Sequence, residues 1–147
     1  MSAQTHRSIR PAQPSDAEAI AQLLGELGYP TDAEAARERV GVLLARNDAG
    51  VIVYEVDGTA VALAAYQLMT LLERSEPQCR ITALVVRADQ RRSGLAHDLI
   101  DAIESLARAR SCFRLEVTTQ PQRTDALGFY VALGFQERPR RLVKPLA

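Results

Sequence analysis

The sequence QRRSGLA at residues 90–96 combines residue types that could bind a phosphate group. It follows the apolar run ITALVV and precedes a helical pattern, so it should lead from a strand into the first turn of a helix. The first amides of a helix have no partner within it, and the helix dipole makes that end attractive to anions. Gly94 and Ala96 would leave these amides accessible, and Ser93 adds a hydroxyl donor.

Two arginines, Arg91 and Arg92, would add positive charge beside the same loop. Neither the dinucleotide-binding fingerprint nor a P-loop lysine accompanies them. From this stretch alone, an exposed helix start with solvated arginines explains the pattern as well as a phosphate site does.

The composition restricts the classes of partner. The chain has 147 residues with 18 basic and 18 acidic side chains, so no overall field would attract nucleic acid or an acidic membrane. Its apolar runs are too short for a membrane span, and its N-terminus lacks the apolar centre of a signal peptide. Two cysteines make neither a disulfide framework nor a metal-ligand set. We expect a cytoplasmic single domain over residues 1–147, with a flexible tail at residues 1–7 and no metal.

The first half of the sequence predicts two helices followed by a hairpin. Ser15 with Glu18 has the spacing of a capping box at a helix start, and Thr31 with Glu34 repeats it. The runs VIVYEV and TAVALAAYQLMTLL then flank the turn dipeptide DG, which indicates two antiparallel strands.

The second half predicts a parallel crossover. The strand ITALVV, a helix over 94–110 and the strand FRLEVTT should form a right-handed strand–helix–strand unit. Thr124 should cap a fourth helix through DALGFYVAL, which Gly134 ends, and FQERPRRLVKPL predicts a final strand pair. These elements together predict an α/β (α+β) fold, a twisted mixed sheet with helices on both faces.

Two motifs in this order resemble the GNAT superfamily of N-acetyltransferases. In VVRADQRRSGLA, the positions of its acyl-CoA-binding motif are filled by Arg91, Gly94 and Ala96. In RTDALGFYVALGF, the residues that match its second motif are Ala126, Phe129, Tyr130, Gly134 and Phe135. The resemblance runs from Ile9 to the end of the chain. It implies a strongly twisted sheet of six to seven strands with about four helices on both faces.

The resemblance also implies that acetyl-CoA is the co-substrate. Its pantetheine arm would pair with the backbone of Leu84, Val85 and Val86, where this strand parts from the strand that begins at Phe113. The pyrophosphate would lie on the amides of residues 92–96, and arginine side chains could reach the ribose phosphate. The implied binding residues in this loop are Arg91, Arg92, Ser93, Gly94, Leu95 and Ala96.

Tyr130 matches the tyrosine that commonly donates a proton to the departing thiolate in the family. A phenol with a reference pKa of ~10 stays protonated at neutral pH and can protonate a thiolate whose conjugate acid titrates near ~8.5. A plain role in the apolar core is the competing interpretation of Tyr130. The oxyanion would lie near the backbone N–H of Val85 or Val86.

The general base is not evident, because ITALVV carries no carboxylate. Glu116 or Glu73 could take a proton through water, although a solvent-facing or ion-paired acid explains each more simply. An amine that arrives neutral would need no base. Arg123 stands where the second motif usually has asparagine, and since arginine cannot accept a hydrogen bond, that contact is lost or Arg123 reaches a phosphate or a carboxylate.

The leading hypothesis is therefore an N-acetyltransferase that acts on the primary amine of a small molecule or a peptide. It would work as a monomer or homodimer, without nucleic acid or membrane partners. The alternative is a non-catalytic, regulatory module that binds acyl-CoA. The missing acid and Arg123 keep this alternative open.

Overall fold

The structure, a computed structural model, describes residues 4–119, 124–138 and 140–147 of the chain. Five strands lie in these ranges: β1 Arg7–Pro11, β2 Ala49–Val56, β3 Thr59–Met69, β4 Gln78–Val86 and β5 Arg114–Val117. The helices are α1 Ala17–Leu27, α2 Ala33–Leu44, α3 Leu95–Ala109 and α4 Thr124–Ala132. The sheet has the order β1-β2-β3-β4-β5, with the first three pairings antiparallel and the last parallel.

The predicted hairpin and the predicted crossover are both confirmed. Asp57 and Gly58 have φ angles of 49° and 86°, which are the left-handed values that a tight two-residue turn between β2 and β3 requires. Strands β4 and β5 are parallel neighbours, which a short turn cannot join. Helix α3 makes the connection between them.

Helices cover both faces of the sheet. One buried cluster joins α1 and α2 to alternate positions of the strands, among them Val53, Leu63 and Val85. The buried residues Cys79 and Ile81 lie outside that cluster, on the face against which α3 packs. The mixed α/β class with helices on both faces is thus confirmed.

The two predicted capping boxes are wrong by one residue or more. Asp16 precedes α1 and its carboxylate accepts the Gln13 N–H at 2.8 Å, so Ser15 is not the cap. Asp32 caps α2 by accepting the Ala35 N–H at 2.7 Å. The Thr31 hydroxyl instead donates to the Tyr29 carbonyl.

Two predicted boundaries also differ from the structure. No strand follows β5 in the described residues, so the final pair expected from FQERPRRLVKPL, and with it a sheet of six to seven strands, is not found there. The tail predicted at residues 1–7 overlaps the sheet, because Arg7 opens β1. The Asp57 N–H donates to the His6 carbonyl at 2.8 Å, and the His6 N–H donates to the Asp57 carboxylate at 2.9 Å. None of the described helices is both long enough and apolar enough to cross a bilayer.

The chain divides into two compact units, residues 1–117 and residues 118–147. The first contains the whole sheet with α1 to α3, and the second contains α4.

Candidate functional site

Strand β4 is paired on both sides over only half of its length. Its parallel pairing with β5 ends at Ile81 opposite Val117, whereas its antiparallel pairing with β3 continues to Val86. A β-bulge at Thr82 falls at the point where the two strands part. Residues 83–86 therefore have β3 on one side and no strand on the other among the described residues. We call the gap beside them the fork.

The direction of the backbone groups along this stretch follows from one hydrogen bond. The Arg87 N–H donates to the Val61 carbonyl at 2.8 Å, and in antiparallel pairing every second residue bonds to the same neighbour. Val85, opposite Leu63, therefore directs its N–H and C=O towards β3. Leu84 and Val86 direct theirs into the fork.

The loop after β4 is held against the end of that strand. The Arg91 guanidinium donates through Nε to the Val86 carbonyl at 3.1 Å, and the Ser93 hydroxyl donates to the Gln90 carbonyl. Arg92 and Gly94 have φ angles of 65° and 85°, so the backbone turns twice through the left-handed region before α3 begins.

The N-terminus of α3 is open at this loop. Gly94 is the N-cap, and no side chain of the described residues caps the helix. The first bond within the helix runs from the Asp98 N–H to the Gly94 carbonyl at 3.0 Å, which leaves the amides of residues 95–97 without a helical partner. A Cβ at Gly94 would meet no atom within 4 Å, so it would project into open space beside these amides.

Positive charge beside the loop is partly compensated. Arg87 forms an ion pair with Asp89 at 2.6 Å, and this contact lowers the pKa of the Asp89 carboxyl. Arg91 and Arg92 are exposed on the same turn. The loop can thus present backbone donors together with two arginines to an anion.

Glu116 lies in a network of polar side chains on β4 and β5. Its Oε2 accepts from Gln78 Nε2 at 3.0 Å and lies 3.4 Å from Arg114 Nη2, and its Oε1 lies 3.4 Å from Arg80 Nε. Gln78 is only 4% exposed and also accepts from Arg114 Nε at 2.8 Å. Glu116 is therefore an ion-pair partner, which is the simpler of the two interpretations of this residue. We call these four residues the polar cluster.

Tyr130 lies in the middle of α4 and is half-buried. Its ring has edge contacts with Phe129 and Phe135, with centroid distances of 5.3 and 5.5 Å. Helix α4 ends before Gly134, whose φ of 97° confirms the predicted stop. Arg123 lies outside the described residues.

Both cysteines are free. Burial raises the pKa of Cys79 to about 11, with a further contribution from Cys112, and burial also raises the pKa of Cys112. Neither thiol is thus activated as a nucleophile.

The structure brings together most of the residues that the motifs indicated, from Leu84 through Ala96, at one end of β4. The sequence interpretation missed the polar cluster around Glu116. Its signal is the alternation of polar residues in QCR and RLE, at Gln78 and Arg80 on one strand and at Arg114 and Glu116 on its parallel neighbour.

Comparisons with known proteins agree on one fold. The sequence profile described as the Acetyltransferase (GNAT) family matches residues 17–135. No curated protein sequence matches the chain.

Several solved structures resemble the chain over nearly all of its length. A transcriptional regulator from Bacillus halodurans C-125 has a TM-score of 0.88 at 21% identity, covering 96% of this chain and 100% of that one. The aminoglycoside N-acetyltransferase AAC(6')-Iy in complex with CoA has a TM-score of 0.85 at 21% identity, covering 99% and 97%. Glucosamine-6-phosphate N-acetyltransferase from Arabidopsis thaliana has a TM-score of 0.82 at 18% identity, covering 97% and 99%.

Proposed function

Because the chain belongs to the acetyltransferase (GNAT) family, we propose that it transfers an acetyl group from acetyl-CoA to the primary amine of an acceptor. The observation that carries this proposal is the fork, where β4 extends beyond its pairing with β5 and leads directly into the open N-terminus of α3. The similar structure of the aminoglycoside N-acetyltransferase, which holds CoA, supports the same donor.

The residues present fit acetyl-CoA in two respects. The backbone of Leu84 and Val86 faces the fork, so a pantetheine amide can pair with it as an added strand would. The amides that follow Gly94 have no helical partner, so they suit the pyrophosphate. Val85 contributes its buried side chain to the core and its backbone to β3, so we limit the pairing to its two neighbours.

Acetyl transfer requires that negative charge on the thioester oxygen be stabilised and that the departing thiolate gain a proton. Strand β4 parts from β5 after Ile81, and Leu84 lies closer to that point than Val86 does. We therefore assign the first role to the N–H of Leu84, which faces the fork. We assign the second role to Tyr130, by its match to the family motif.

We assign no general base. Glu116 already has two arginines and a glutamine as partners, so its lone pairs are engaged. An acceptor that arrives as a neutral amine needs no base from the protein. We propose a small-molecule or peptide amine as the acceptor. The cytoplasmic location stays a prediction, which the two free cysteines support.

A regulatory module that binds acyl-CoA without turnover remains the second candidate. The engagement of Glu116 in ion pairs and the lack of any carboxylate in ITALVV both favour it. The similar Bacillus halodurans structure is described as a transcriptional regulator.

Calorimetry and a thiol-release assay separate the candidates. An acetyltransferase binds acetyl-CoA and releases free thiol only when an amine is present. Binding of acetyl-CoA without thiol release over a broad panel of amines would identify the regulatory module, and absence of binding would refute both.

A further inference from the structure

The polar cluster lies beside the fork, on a face that α1 and α2 cover only in part. Ala65 of β3 belongs to the core beneath these helices, and Gln67, two residues along the same strand, lies on the same face and is exposed. Gln67 is opposite Arg80, so Arg80 is also on this face, next to Glu116 on β5. The cover of the two helices therefore ends where the polar cluster begins.

The Arg80–Glu116 rung is the last one on this face before the strands part. The next pair, Ile81 and Val117, ends the pairing of β4 with β5. A pantetheine arm that runs along β4 from the α3 N-terminus would bring its thioester to this point. This step rests on the proposed function, and it places the polar cluster beside the reacting carbonyl.

The cluster carries more positive than negative charge. Arg80 and Arg114 both contact the carboxylate of Glu116, so the four residues of the cluster include two guanidinium groups and one carboxylate. Arg74 and Arg114 both contact the Phe113 ring, with guanidinium carbons 4.2 and 5.2 Å from its centroid, so a third cation shares a neighbour with the cluster. These side chains reach solvent, with Arg80 29% and Arg114 51% exposed.

Gln78 fixes the positions of the Glu116 and Arg114 side chains. It is almost fully buried, donates to Glu116 and accepts from Arg114, so it holds both charged side chains in place. A preorganised site loses less side-chain entropy when a ligand binds.

We propose that the polar cluster selects an acceptor that carries a carboxylate or phosphate in addition to its amine. Arg80 is the specificity-determining residue, because it belongs to the last rung before the fork. The excess positive charge attracts the acidic group and also favours the neutral form of a nearby amine, which is the form that attacks. The same charge disfavours polyamines.

The test compares pairs of amines that differ in one acidic group. We would measure kcat and KM by thiol release for 4-aminobutyrate against butylamine and for O-phosphoethanolamine against ethanolamine, with spermidine as the polycation. The variants are Arg80→Gln, which removes the charge, and Arg80→Lys, which keeps it. The control is Arg108→Gln on α3, where the arginine is 78% exposed and is not part of the cluster.

The proposal predicts that each acidic amine has a kcat/KM at least about tenfold above that of its neutral counterpart, as expected for one charge-assisted contact. Arg80→Gln should raise KM for the acidic amines by about tenfold and change KM for the neutral amines much less, since these lose only the effect of the charge on amine protonation. Arg80→Lys should keep most of the preference, and Arg108→Gln all of it.

Turnover that favours spermidine or the neutral amines would overturn the proposal while leaving the acetyltransferase function intact. An unchanged preference in Arg80→Gln, with its fold verified by thermal unfolding, would also overturn it. Failure of the wild-type protein to bind acetyl-CoA in calorimetry would instead refute the proposed function itself.

Discussion

Gly94 affects both the backbone conformation of the loop and the access of a ligand to the first amides of α3. Its φ of 85° lies where residues with a Cβ are strained, and a Cβ there would extend into the open space beside the first amides of α3. The two effects act on different observables, since strain lowers the stability of the protein and the added methyl group obstructs a ligand at the helix end.

We expect Gly94→Ala to lower the free energy of unfolding by about 1 kcal/mol and to weaken acetyl-CoA binding by about tenfold or more. Urea unfolding and calorimetry measure the two effects. The matched control is Gly41→Ala within α2, which has open space around it and should gain up to about 1 kcal/mol with unchanged affinity for acetyl-CoA. Unchanged affinity in Gly94→Ala would show that acetyl-CoA does not approach this turn.

Tyr130→Phe tests the assignment of the proton donor. The substitution keeps a ring that can contact Phe129 and Phe135, so the fold should be retained. Loss of a general acid should reduce kcat by about 100-fold or more while acetyl-CoA binds as before. Thiol-release rates across pH provide the measurement, and a variant with full turnover at every pH would eliminate Tyr130 as the donor.

At the scale of elements, an ion-pair network joins β1, the start of α1 and β2. Arg10 donates to both carboxylate oxygens of Asp16 at 2.8 Å and also contacts Glu55 at 3.3 Å. The hydrogen bonds from Arg10, with one from Gln13, hold the pKa of Asp16 below its usual range despite burial. Asp16 therefore fixes the first helix to the edge of the sheet.

Asp16→Asn should reduce stability by about 2 kcal/mol, because the variant loses charge-assisted hydrogen bonds at a position that is 8% exposed. The folded pKa of Asp16 is lowered, so its contribution is complete above the unfolded value of ~3.9 and is lost as the pH falls through the folded value. The difference between variant and wild type should accordingly vanish in strong acid.

Denaturant unfolding between pH 7 and pH 2 measures this difference. Asp48→Asn is the control, because Asp48 pairs with Arg46 at an exposed site where solvent screens the charges, so this substitution should change stability much less than Asp16→Asn does. A constant difference between Asp16→Asn and wild type down to pH 2 would contradict the assigned role of the carboxylate.

Elements with a strong local signal were predictable from the sequence. The hairpin follows from β-branched runs around Asp57 and Gly58, and α3 follows from the periodic spacing of Leu95, Leu99 and Ile103. The cap of α1 was not predictable in this way, because Arg10, a residue of the sheet, engages the Asp16 carboxylate. Such a contact depends on tertiary structure and leaves no local pattern.

At the scale of the whole molecule, the chain has no net charge, yet positive side chains stand both at the loop with Arg91 and Arg92 and in the polar cluster. The motifs identified the first because its residues are contiguous in sequence. The second is assembled from strands more than thirty residues apart along the chain, at Arg80 and Glu116, so only the register of β4 with β5 revealed it. The predicted acceptor class depends on that register.

The central claim is that acetyl-CoA binds along the open side of β4, and hydrogen exchange of individual amides tests it most directly. In the free protein, the amides of Leu84 and Val86 should exchange faster than that of Val85, which donates to β3. Saturating acetyl-CoA should slow exchange at Leu84 and Val86 by at least about tenfold, the equivalent of ~1.4 kcal/mol per amide, and leave Val85 unchanged. Unaltered exchange at Leu84 and Val86 in the presence of bound acetyl-CoA would contradict the account.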